Sequence, residues 1–276
     1  MPCLGKLSLE MARTKLTFAT GPVRLGYDGV RMRSGLQSVL SNRFGTLVDV
    51  VATASYSDLL AHLASGVVHL AWMSPGLGVY ASDKIQSVPL MSAVRAAGQE
   101  FFGTLFVRED SPIVTAEDIR GTRVGWVDSY SCSGYLFPRM ALKARGFDLR
   151  GFFANQHMFG SHEEVARAVE AGDIDVGATY INVSPGESGR GGAFAGWGAL
   201  RGVSMRPVVR SEPIPSDLIV AHRRLDEKLM ADAVEIFATL HEDAEAARVA
   251  NYIMGSERFE KVDIRRYDVV RTALAL

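Results

Sequence analysis

Two cysteines in 276 residues, Cys3 and Cys132, are too few and too far apart for a disulfide framework or a cysteine-ligated metal site. An excess of one charge is equally absent. Lys and Arg total 30 against 31 Asp and Glu, a net charge of -1. No basic field therefore argues for nucleic acid, and no polybasic cluster argues for an anionic membrane surface. No window approaches the ~20 continuous apolar residues that a membrane-spanning helix needs. The opening MPCLGKLSLEMARTKLTFAT lacks an apolar stretch of signal-peptide length and a small-residue cleavage site. As written it predicts a cytoplasmic chain, or a periplasmic one if a leader has been removed. His69, His157, His222 and His241 show no ligand spacing, so neither a metal nor a cofactor is expected. Repeats and low-complexity tracts are also missing.

What remains is an ordinary globular composition, 47% hydrophobic and 22% charged, long enough for one large or two medium domains. Strand and helix patterns alternate along it. KLTFAT (15–20), LVDVVAT (47–53), VVHLAWM (67–73), FFGTLFVRED (101–110), TRVGWVD (122–128) and DIDVGATY (173–180) read as strands. MRPVVRS (205–211) and part of 216–225 read as two more. Helices are expected over 29–45, 55–66, 133–146, 161–172 and 226 to about 254, with a capped helical turn at 115–121. Ser74-Pro75-Gly76 reads as a turn and the Gly-rich 184–198 as a loop. This alternation predicts an α/β fold with mostly parallel sheets, and such sheets bind ligands beyond the carboxyl ends of their strands. The polar clusters fall there: Gly21 to Tyr27, Ser55 to Ser57, Ser74-Pro75, Ser129 to Ser133 and Thr179 to Asn182.

The stretch WVDSYSCSGYLFP (126–138) is the most informative. A helix start exposes unpaired N–H groups and partial positive charge, small residues let an anion approach, and hydroxyls add donors. Tyr130, Ser131, Cys132 and Ser133 thus form a candidate oxyanion cradle. The plainer reading is an N-cap by Ser131 or Ser133. SYSD (55–58) offers a second helix start, with Tyr56 and Ser57.

The segment DSYSCSGYLFPRMALKARGFD resembles the Asp-Pro-x-Ser-Thr-Ser-Gly-Tyr-x-x-Pro segment of phosphonate-binding proteins, the substrate-binding components of phosphate, phosphite and phosphonate ABC transporters. YSDLLAHLASGVVHLAWMSPGLGVYA, FGSHEEVARAVEAGDIDVGATY and EPIPSDLIVAHRRLDEKL resemble three further segments of that family, in order, over about residues 15–245. There are departures: Cys132 stands where the family has Thr, Ser129 where it has Pro, His69 where it has a strand Asp, and Ser74 in its Gly-Pro turn. The resemblance implies a type II periplasmic-binding-protein fold: two α/β lobes, joined by a hinge, closing on a small anion. Lobe 1 is expected over 15–105 plus about 205–276, and lobe 2 over 106–204. A solute-binding role implies an ABC permease or a sensor partner, and a monomer is expected.

The expected ligand-binding set is Gly21, Tyr27, Tyr56, Ser57, Ser74, Tyr130, Ser131, Cys132, Ser133, His162, Tyr180 and Asp217. Several have plainer readings: His162 and Asp217 as caps, Trp72 as core, Tyr180 and Asn182 as hinge or pocket wall. Cys132 is either a small residue beside the cradle or a thiol activated by a helix N-terminus. Three functions stay open. One is a binding protein for a phosphonate, phosphate or phosphate ester. Another is a cytosolic enzyme on the same fold, as in chorismate dehydratases, using Cys132, His162 and Tyr180 on a small carboxylate or phosphate metabolite. The last is a ligand-sensing subunit.

Overall fold

The computed structural model describes residues 15–22, 27–95, 100–183 and 204–276. The expectations for the Gly-rich 184–198 and for the side chain of Tyr27 lie outside the described part. Two sheets organise the rest. The first sheet has the order β11-β4-β10-β3-β1-β2 and contains β1 (Leu16–Thr20), β2 (Val48–Ala52), β3 (Leu70–Met73), β4 (Val88–Val94), β10 (Leu218–Ala221) and β11 (Arg258–Lys261). The second has the order β7-β6-β8-β5-β9 and contains β5 (Glu100–Arg108), β6 (Arg123–Trp126), β7 (Asn155–Met158), β8 (Val176–Val183) and β9 (Met205–Pro213). The helices α1 (Tyr27–Phe44), α2 (Tyr56–Ser65), α3 (Pro75–Ile85), α6 (Glu227–Thr239), α7 (Ala244–Met254) and α8 (Asp268–Leu274) accompany the first sheet. The helices α4 (Phe137–Ala144), which continues a single π turn over Cys132–Leu136, and α5 (His162–Ala171) accompany the second.

The chain passes between the sheets twice, from β4 to β5 and from β9 to β10. That moves the expected lobe boundaries. Residues 100–105 and 205–213 pair in the second sheet, through β5 and β9, and not in the first. The same crossings correct the expectation of mostly parallel sheets. Strand β1 runs parallel to β2 and β3, and β6 runs parallel to β7 and β8. Every pairing made by the strands that flank a crossing (β4, β5, β9, β10) is antiparallel. A strand that arrives from the other lobe comes in from the opposite end of the sheet. The missed elements have local reasons. Ser74-Pro75-Gly76 starts α3 rather than turning, with Ser74 as N-cap and Pro75 in the first turn, where its missing N–H costs nothing.

Alternation along each strand sends side chains to opposite faces. Phe18 joins Leu36, Leu40, Leu70, Phe237 and Val249 on one face of the first sheet. Its neighbour Ala19 faces the other way, with Leu59, Leu63, Ala71 and Leu77. This second cluster does not stop at the lobe boundary. It takes in Cys132, Leu136 and Phe137 from the π turn and α4, so the two lobes share buried apolar surface. Contact is closest at Gly76 in α3, where a β-carbon would fall 2.3 Å from the carbonyl oxygen of Tyr130. Gly134 has a similar constraint: its β-carbon would lie 2.4 Å from Val127 Cγ2 and 2.6 Å from Val127 Cβ. Val127 is β-branched and buried, so it has little room to give. Gly134→Ala should therefore cost about 1–3 kcal/mol of stability. A fall in the urea or thermal midpoint with unchanged far-ultraviolet circular dichroism is the expected result.

Candidate ligand-binding site

Four helix starts converge between the lobes, and each has a serine N-cap. Ser55 Oγ accepts from the N–H of Asp58 at 3.0 Å and Ser74 Oγ from that of Leu77 at 3.5 Å. Ser131 Oγ accepts from Gly134 N–H at 3.0 Å and Ser161 Oγ from Glu164 N–H at 3.2 Å. In each case the hydroxyl takes the third N–H of the helix, as N-caps do. The first N–H groups of the turn keep no intrahelical acceptor. The plainer reading of Ser131 as a cap therefore holds, and the same geometry leaves the N–H groups of Cys132 and Ser133 as the donors at that helix start.

Tyr56, Ser74, Ser131 and His162, at or beside these starts, border one cavity of about 260 Å³, while the caps Ser55 and Ser161 border a second one with Asp128, Glu163 and Glu164. Lobe 1 contributes Tyr56, Trp72, Ser74 and Pro75, and lobe 2 contributes Phe101, Ser131, Cys132, Ser133, His162 and Tyr180. The crossings contribute Arg95 and Asp217, and the end of α7 contributes Ile253, Met254 and Gly255. Eight of the expected residues thus come together: Tyr56, Ser74, Ser131, Cys132, Ser133, His162, Tyr180 and Asp217. Others lie elsewhere. Gly21 sits under Tyr56, with its absent β-carbon 2.5 Å from that ring, so it makes room for the tyrosine rather than lining the cavity. Ser57 is exposed on α2. Tyr130 packs its ring on Tyr80 at 4.9 Å and borders a different cavity with Arg139 and Arg271. It is the residue before the cap, so its side chain leaves the turn on the opposite side from Ser131. Asn182 is not among the lining residues. Trp72 is shared: it borders the cavity and meets Phe259 of the lobe 1 core edge-on at 6.0 Å.

Sequence reasoning missed Arg95, whose Nη2 lies 2.5 Å from Asp217 Oδ2, with side-chain exposures of 17% and 19%. The guanidinium also stacks over Phe101, 4.4 Å from the ring centre. Phe101 continues into Tyr180 at 5.2 Å, and Tyr180 meets His162 edge-on at 5.0 Å. A wall of aromatic rings therefore runs from the ion pair to the start of α5.

Burial dominates the electrostatics. The Tyr56 phenol is pushed up to about 12 by burial and by the carboxylates of Asp217 and Asp128, so it stays a donor at neutral pH. Burial raises the Tyr180 phenol too, with Arg95 opposing. Asp217 is raised by burial, against the pull of Arg95. His162 is lowered to about 4 by burial, and its Nδ1 lies 2.9 Å from Thr179 Oγ1. Burial also drives the Cys132 thiol upward, well above its ordinary value, and its side chain is 2% exposed. The helix-start argument for a reactive thiolate fails here because desolvation outweighs the dipole. A neutral imidazole and a protonated thiol do not form a Cys–His ion pair.

Two measurements check these states. In a Cys3→Ser background, Cys132 should resist maleimide at pH 7 to 8 and react fully in denaturant; rapid labelling of the folded protein would contradict its burial. His162 should remain neutral by NMR from pH 8 to pH 5. Its folded pKa lies below the ordinary 6.5, so the unfolded chain binds the extra proton. Stability is whole above about 6.5 and declines as pH falls toward about 4. Comparison with His162→Asn isolates this slope: the wild type should lose more stability than the variant between pH 6.5 and 5.

Comparison with known proteins gives these residues a family context. The family model described as ABC transporter, phosphonate, periplasmic substrate-binding protein matches residues 22–267. The phosphate-import protein PhnD of Mycolicibacterium smegmatis is 27% identical over 176 residues, which is 60% of this chain and 54% of that protein. The match thus spans about half the length of that relative. Among solved structures, a binding protein component of an ABC phosphonate transporter from Pseudomonas aeruginosa superposes with a TM-score of 0.77 at 19% identity, over 95% of this chain and 85% of that one. A Xanthomonas citri protein bound to ATP gives 0.75 at 20% identity, over 95% and 97% of the two chains. PhnD1 from Prochlorococcus marinus in complex with methylphosphonate gives 0.74 at 17% identity, over 94% and 96%. At these identities the structures establish the fold, two lobes of the type II periplasmic-binding-protein kind. The match across residues 22–267 carries the assignment further: the chain belongs to the family of periplasmic substrate-binding proteins of phosphonate ABC transporters.

Proposed function

We propose that this chain binds a small tetrahedral oxyanion (a phosphonate, phosphite or phosphate) in the cavity between its lobes, and delivers it to a membrane permease. The observation that carries this reading is one cavity bordered by the first residues of three helices, Tyr56 of α2, Cys132 and Ser133 of the π turn and His162 of α5. Each start contributes roughly half a positive charge, and together they favour an anion over any neutral solute. The size agrees: about 260 Å³ lies below the ~300–1,000 Å³ typical of sites for drug-sized ligands.

In this reading the N–H groups of Cys132 and Ser133 and the Ser133 hydroxyl donate to the oxyanion. Tyr56 donates from lobe 1. We assign the tautomer in which His162 Nδ1 accepts from the Thr179 hydroxyl 2.9 Å away, so that Nε2 carries the proton and is a donor. Binding shifts an open–closed equilibrium, with the two crossings as hinge. We assign the chain to the periplasmic side of the membrane, the compartment of its family, where a permease would take its cargo. Among the described residues no helix is long and apolar enough to cross a membrane.

Calorimetric titration with phosphate, phosphite and methylphosphonate tests the reading. At least one should bind at micromolar strength or tighter. Ser133→Ala should weaken it about tenfold or more, since a hydrogen bond to a charged group is worth about 1.5–3 kcal/mol. Absence of binding to all three, or an unchanged affinity in Ser133→Ala, would refute it.

A further inference from the structure

Asp217 is the one carboxylate among the described residues that line the cavity, and it is already occupied. Arg95 holds it through Nη2 at 2.5 Å, and two further contacts fix the pair in place. The guanidinium lies on Phe101 at 4.4 Å. The backbone carbonyl of Asp217 accepts from Ala93 N–H at 2.9 Å, two residues before Arg95. The pair is thus held from β4, from Phe101 of β5 and from the start of β10.

We infer that the Arg95–Asp217 pair sets the ligand class of this cavity, admitting small phosphonates with neutral substituents and rejecting those that carry an ammonium group. The inference rests on the oxyanion reading above and adds to it. The charges explain the choice. Arg95 and Asp217 cancel, so at the lining itself the helix starts supply positive field, with Asp128, Glu163 and Glu164 bordering the adjacent cavity beyond Tyr56. An anion gains from that field. A ligand ammonium must shed its water and needs a carboxylate in exchange, and Asp217, the one carboxylate among the described residues that line the cavity, is taken by a guanidinium. A methyl group in the same position needs no partner, and Trp72, Phe101 and Ile253 give it apolar surface. The guanidinium itself is not saturated. Its Nε is buried without an acceptor, which is unfavourable for a charged donor and is eased by a nearby anion.

The probes are 2-aminoethylphosphonate and n-propylphosphonate, which have the same chain length and differ by ammonium against methyl, with phosphate as a third titrant. The wild type should bind n-propylphosphonate at least tenfold more tightly than 2-aminoethylphosphonate. Arg95→Gln frees Asp217 and should move that ratio at least tenfold toward the amine. Asp217→Asn should tighten both phosphonates alike and leave their ratio unchanged. It is the deciding variant if Arg95→Gln does not fold, as judged by circular dichroism and thermal melting. A wild-type ratio near one or favouring the amine overturns the inference, and so does a selective loss of 2-aminoethylphosphonate in Asp217→Asn. Binding of phosphate with neither phosphonate overturns it as well, because the cavity then selects on size. If all three fail to bind, the oxyanion reading falls and the inference with it; if phosphate binds and the ratio is flat, only the inference falls.

Discussion

Four positive helix ends face one another across a narrow gap, and most of the cleft's architecture can be understood as a response to that. Like partial charges repel, so bringing α2 and α3 against the π turn and α5 is unfavourable in an empty, dry cavity. An anion between them changes the sign of the interaction. The fold thereby couples charge recognition to lobe closure without a dedicated switch. The serine caps belong to the same arrangement. By taking the third N–H of each helix they hold the turn rigid; in α3 no earlier N–H is left over, because Pro75 has none and Gly76 N–H donates to the Cys132 sulfur. The apolar cluster shared between Leu77, Leu136 and Phe137 supplies the attraction that holds the lobes together around the ligand.

Much of this was legible in the sequence, for a physical reason. Helix starts are encoded locally: a serine, an acidic or small first turn, then an apolar face. Ser55, Ser131 and Ser161 could each be found by inspection, and so could Tyr56, Ser133 and His162 beside them. The strands of both sheets were visible where they were buried on two faces, as in LTFAT and LAWM. Their direction was not, because antiparallel pairing in this chain results from the lobe crossings and no local pattern reports a crossing.

The misreadings have the same origin. Arg95 follows β4, whose VPLMSAV has no clear alternation, and its partner Asp217 lies 122 residues away. No spacing rule could join them. Trp72 was read as core, and it does meet Phe259 there, but it also walls the cavity beside Phe101. Tyr130 looked like part of the cradle because it adjoins Ser131, but adjacent residues in a turn diverge, and its ring went to Tyr80. For Cys132 the helix dipole offered an activated thiol beside the plainer reading of a small residue near the cradle. Burial, which the sequence does not give directly, favours the plainer one.

The tie between the two crossings also bears on how the molecule can move. Ala93 bonds to Asp217 through the backbone, and Arg95 bonds to it through the side chain. The two connecting segments are therefore fastened to each other at the level of the cavity and cannot slide independently. Because Ala93 and Asp217 belong to neighbouring strands of the first sheet, both connecting segments start from one fastened edge of that lobe, and any turning of the second lobe is taken up beyond it.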